Sequence, residues 1–189
     1  MTSLCTKSCH DPLYSMEIYM ENSIKNQILD IIYHQSEKDN ISDADIKLLN
    51  AYPSNIIFPI LQDIYFRESN TQLRGKVYNA MLSLKEVDIV HVLITLLDSP
   101  PIDMHTTYCY DLAEYDDPRS SQKLVQILLT DKDPNLRGVA AMLLARFSDP
   151  NTLQALEYAS LYDKGIDFED VPIADIARWA LKSIQSKAS

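Results

Sequence analysis

His105 precedes Cys109 by four residues, a spacing that sets both side chains on one face of a helix. A thiol beside an imidazole can serve as a nucleophile with its base. The same spacing also suits a pair packed into a core, and that use is expected here. Cys5, Cys9 and His10 bring two thiols and an imidazole together near the N-terminus. No second ligand pair follows at zinc-like spacing, so no metal is expected. Three cysteines are an odd number and give no disulfide framework. The stretch DKGIDFED gathers Asp163, Asp167, Glu169 and Asp170, which could collect a cation. Its spacing is not that of an EF-hand. A solvated loop is expected, or one that reaches a basic patch on a partner. His10, His34 and His91 have no Cys, Ser or Asp at a spacing that signals nucleophile and base. The chain carries no G-x-G-x-x-G, P-loop, H-E-x-x-H or G-x-S-x-G motif. It is expected not to be an enzyme and to need no cofactor.

Binding chemistry is easier to find. The stretch HTTYCYDLAEYDD, residues 105–117, holds Tyr108, Tyr110 and Tyr115 with Asp111 and Glu114. Either Tyr110 is core and the other two are surface residues with polar tips, or the stretch belongs to an interface, where tyrosine is a frequent anchor. The expected partner-binding residues are Tyr108, Asp111, Glu114 and Tyr115 here, Glu157, Tyr158 and Tyr162 further on, and Asp167, Glu169 and Asp170 in the acidic loop. Trp179, one position off its helix stripe, is expected to pack.

The elements that must position these residues follow one pattern. Asp133-Pro134 starts a helix: the carboxylate accepts from first-turn amides, and proline lacks an N–H that would be unpaired there. Leu136, Val139, Ala140, Leu143, Leu144 and Phe147 then form one apolar stripe. Asp149-Pro150 starts the next helix, with Leu153, Leu156 and Tyr158 continuing the pattern, and the two helices are expected to fold back on one another. The stripe recurs from Leu73, Ile102 and Ile173, so the starts lie 29, 34 and 37 residues apart, as a two-helix repeat requires. Helices are predicted over 13–36, 43–51 and 55–68, the last with a bend or late start at Pro59. The pairs 71–85 with 87–97, 102–115 with 118–130, and 134–147 with 150–162 follow, and 171–187 closes the far end.

The motif D-P-x-L-R-G-x-A-A-x-x-L at 133–144, with Leu96, Leu97, Asp98 and Leu128, Leu129, Asp131 at helix ends, resembles the HEAT-like (armadillo-type) repeat family over residues 71–187. The resemblance implies an all-α fold, a right-handed α-solenoid of stacked antiparallel helix pairs with an N-terminal helical cap. The expected organisation is a disordered lead-in at 1–12, a cap at 13–70 and repeats at 71–187, cap and repeats forming one continuous domain. Such repeats serve scaffolds, inhibitors, enzymes and lyases alike. HEAT-like DNA glycosylases carry aromatic, acidic and basic side chains in a positively charged groove, for which this chain has no matching basic set.

The formal net charge is −10, from 17 basic and 27 acidic residues. An acidic body repels phosphate, so neither nucleic acid nor an anionic membrane surface is expected as a partner. No apolar run is long enough to span a bilayer, and a cytoplasmic monomer is expected. The favoured reading is a non-enzymatic protein-binding module, an inhibitor such as an immunity protein that neutralises a basic toxin (a nuclease, for example) through an acidic concave surface. The alternatives are a HEAT-like enzyme or lyase subunit and a structural adaptor in a larger assembly.

Overall fold

The computed structural model describes residues 12–34, 41–100 and 102–187. Among these, ten α-helices and no strand occur. The chain divides into two compact units, Met1–Val87 and Asp88–Ser189. The expected lead-in with the Cys5, Cys9 and His10 group lies outside the described residues.

The first unit holds α1 (Pro12–His34), α2 (Asp43–Leu49), α3 (Ser54–Arg67) and α4 (Thr71–Leu82). Its core is mainly aliphatic: Ile24, Ile28, Ile31 and Ile32 of α1 are buried, with Ile57, Leu61 and Ile64 of α3 and Val77, Ala80 and Met81 of α4, and Tyr65 and Tyr78 are buried among the same helices. Ser42 caps α2, accepting from the Asp45 amide at 3.3 Å while its hydroxyl donates to the Asp45 carboxylate at 2.5 Å. No late start occurs in α3. It begins at Ser54 and runs through Pro59, whose missing N–H costs only one bond near the helix start.

The second unit contains α5 (Ile89–Leu97), α6 (His105–Leu112), α7 (Pro118–Thr130), α8 (Pro134–Leu144), α9 (Pro150–Tyr162) and α10 (Ile173–Lys187). The helices pack as adjacent pairs, α5 on α6, α7 on α8 and α9 on α10. Like helices of successive pairs then adjoin, so α5, α7 and α9 form one layer and α6, α8 and α10 the other. This stacking makes the unit an all-α solenoid of repeated helical hairpins.

The phase of the repeat differs from the sequence expectation. Residues 134–147 and 150–162 were expected to form a hairpin, yet α8 touches α9 little and packs chiefly on α7 and α10. The hairpin turn instead lies between α7 and α8, at Asp131-Lys132-Asp133. Arg137 explains why. Its Nη1 donates to the carbonyls of Asp131 and Lys132 at 3.0 and 3.4 Å, capping the end of α7 from the first turn of α8. Arg74 does the same at the α3–α4 turn, donating to the Glu68 and Ser69 carbonyls at 2.9 and 3.4 Å. The arginine of each Leu-Arg-Gly triplet therefore closes the turn behind it.

Each second-unit hairpin is also capped by an acid. Asp88 accepts from the His91 amide, Asp117 from Arg119, Asp133 from Asn135, and Asp149 from Asn151 and Thr152. The Asp-Pro starts at 117–118, 133–134 and 149–150 recur at equal intervals. That period was present in the sequence and outlines the helices better than the wider stripe intervals.

One stripe is displaced. Ile102 was matched with Leu136, which placed Tyr110 in the core. Residues Ile102–Met104 instead form a 3-10 turn, and α6 starts at His105. His105, Tyr108, Cys109, Leu112 and Ala113 thus make the buried face, while Tyr110 is 45 % exposed.

Candidate functional site

The face of the second unit formed by α6, α8 and α10 carries a groove of about 470 Å³. Its floor is Gly138, Val139 and Met142 of α8 and Ile176 of α10. Gly138 permits the close approach of the two helices. A Cβ there would stand 3.1 Å from Ile173 Cδ1 and 3.3 Å from Ile176 Cδ1. Three aromatic side chains surround the floor from three elements: Tyr110 of α6, Phe168 of the α9–α10 connection and Trp179 of α10. Phe168 is 78 % exposed and Trp179 55 % exposed, so the fold buries neither. Asp167, Glu169 and Asp175 add carboxylates to the same lining.

The connection at 163–172 is held in place by its own hydrogen bonds. Asp167 N donates to Val171 O at 3.0 Å, and Ile173 N donates to Gly165 O at 3.0 Å. The Asp167 carboxylate accepts from the Glu169 and Val171 amides, both at 2.9 Å. Asp170 takes a left-handed backbone at φ 61, which aspartate tolerates better than most side chains. Three hydrogen bonds tie the connection to α8. Phe168 N donates to Asn135 Oδ1 at 2.7 Å, and Arg137 meets Asp163 through Nε at 2.8 Å and Nη2 at 2.9 Å. Arg137 and Asp163 are both largely buried, at 16 % and 11 % side-chain exposure. The Arg137 hydrogen bond holds the Asp163 carboxyl below the ordinary carboxylate range. The loop thus presents Phe168 on a fixed frame.

The residues expected to bind a partner do not gather in one place. Asp167 and Glu169 line the groove, and Asp170 turns the same loop. Tyr108 is fully buried, so it is a core residue and leaves the candidate set. Asp111, Glu114 and Tyr115 lie on or just after α6, outside the groove lining. Glu114 is bound by Arg146 at 2.5 and 3.1 Å. Tyr158 and Tyr162 belong to α9, in the other layer, where their rings meet at a tilt with centroids 5.0 Å apart and Tyr158 is 58 % exposed. Tyr158 therefore lies off the apolar stripe expected of it, and Thr152, Ala155, Leu156 and Ala159 form the buried face. Glu157 is exposed on the same helix.

Tyr110, Phe168 and Trp179 went unchosen. Trp179 had a signal: a large aromatic one position off a regular stripe points away from the core. Phe168 had a weaker one, an aromatic enclosed by acids in a loop.

The Cys109–His105 pair is a core pair. Cys109 is fully buried, and burial pushes its thiol up to about 12, so it stays protonated at neutral pH. His105 engages the Ser99 carbonyl through Nε2 at 3.0 Å. Among the described residues, no group of three or more His, Cys, Asp or Glu is placed to hold a metal ion. No helix among them is long and apolar enough to cross a membrane.

Residues 89–165 match the family model for HEAT repeats. That match, over less than half of the chain, and the paired helices support a HEAT-like helical repeat protein, an architecture of protein-interaction and adaptor scaffolds. No curated protein and no solved structure matches the chain.

Proposed function

We propose that this HEAT-like repeat protein is a non-enzymatic binding module that takes a basic partner protein on its α6–α8–α10 face. The observation that carries the reading is the groove, where Tyr110, Phe168 and Trp179 stay open to solvent around an apolar floor edged with carboxylates. Exposed aromatics clustered in a groove are what protein interfaces use as anchors. The net charge of −10 favours basic partners and speeds their approach.

The narrower form of the reading is a cytoplasmic immunity protein that neutralises a basic toxin domain. Charge supports that form, and no single residue does. The test is a panel of purified basic toxin domains, nucleases included, titrated at low and at physiological salt. Binding that weakens with salt and is lost in Trp179→Ala is expected. Binding that ignores salt, or survives that substitution unchanged, would overturn the assignment of the face.

A further inference from the structure

We propose that the groove receives an arginine side chain borne on a basic segment of the partner, the guanidinium lying against the aromatic rings and reaching Glu169. The inference rests on the docking face proposed above and names the chemistry of its occupant.

Charge within the groove is the first argument. The arginines near it are already engaged. Arg178 binds Asp175 and donates to the Ser160 carbonyl at 2.7 Å, and Arg146 is held by Glu114. Lys182, one helical turn beyond Trp179, lines no part of the groove. Glu169 makes no side-chain hydrogen bond or ion pair with any described residue, and it is exposed at the groove edge. Asp167 accepts only backbone amides from its own loop. The lining thus holds negative charge that the fold does not neutralise.

The second argument is shape. Three aromatic side chains and a carboxylate suit a planar cation better than a point charge. Guanidinium stacks on an aromatic face and still offers an N–H fork to a carboxylate, whereas a lysine ammonium is compact and strongly hydrated. The backbone that carries Phe168 is held before any ligand arrives, by the bond from its amide to Asn135 and by those across the 163–172 loop. A fixed backbone loses little freedom on binding.

Trp179 is the single tryptophan of the chain, so its fluorescence reads the groove directly. The probe is an acetylated, amidated peptide, Gly-Ser-Arg-Arg-Ser-Gly. Its twins replace both arginines by citrulline, which keeps the shape without the charge, by lysine, or by leucine. A saturable change in Trp179 emission is expected with the arginine peptide. The citrulline twin should bind at least about tenfold more weakly, and lysine should fall between them. Glu169→Gln and Phe168→Ala should each weaken the arginine peptide about threefold to tenfold, with helical circular dichroism unchanged. No saturable change up to about 10 mM peptide, or equal binding of the citrulline twin, would overturn the proposal. A leucine twin that binds as tightly removes arginine as the occupant while the docking face stands. Unchanged toxin-domain binding by Trp179→Ala removes the face itself.

Discussion

Arg137 does two jobs that its sequence neighbours do not reveal. It closes the α7–α8 turn and, through Asp163, anchors the loop that presents Phe168. Removing it leaves Asp163 with less than its full set of partners at 11 % exposure. Arg137→Ala should therefore cost about 2–4 kcal/mol in urea denaturation. The pair also has a pH signature. The Asp163 carboxyl titrates lower in the folded protein than in the unfolded chain, so its stabilisation is present above about pH 4 and is lost as pH falls through the folded value. The stability gap between the protein and Asp163→Asn should be full at pH 7 and close in acid. At α6 two neighbouring tyrosines should behave oppositely. Tyr108→Ala empties a fully buried site and should cost about 3–5 kcal/mol, whereas Tyr110→Ala should stay within about 0.5 kcal/mol and act on binding instead. Cys109, tested in a Cys5→Ser, Cys9→Ser background, should resist thiol reagents until the protein unfolds.

At the scale of elements, the 163–172 connection is less a linker than a built support. Gly165 shows how closely it is fitted. A Cβ there would stand 2.3 Å from Arg137 Nη2 and 3.0 Å from Asp163 Oδ1. Gly165→Ala should displace that pair, cost about 1–3 kcal/mol and loosen Phe168, seen as weaker binding at the groove. Helix identity was legible because it is written in local chemistry: Asp-Pro caps and aliphatic stripes state where α7, α8 and α9 begin. Pairing was not legible, because a stripe says that a face is buried and not which neighbour buries it. The α7–α8 hairpin depends on an arginine reaching back six residues to a carbonyl, and no apolar period records that contact. The groove was half legible. Asp167 and Glu169 stood out as charges, but Tyr110 was hidden by a stripe read one helical turn early across the 3-10 segment at 102–104. Phe168 and Trp179 lie apart in sequence, and only the packing of α8 on α10 brings them to one groove.

For the molecule as a whole, the excess of acid over base sets how partners arrive more than how tightly they stay. Association rates with a basic partner should fall steeply with added salt, while dissociation should respond chiefly to changes at Trp179 and Phe168. A different property follows from the place of α8, which packs on α6, α7 and α10 at once. A helix enclosed by neighbours on three sides cannot open until they do. Its amides should be the last in the second unit to trade hydrogen for deuterium, with protection thinning toward the final turn of α10. Denaturation of this unit would then begin as fraying from its far end and reach the Asp133–Leu144 segment last.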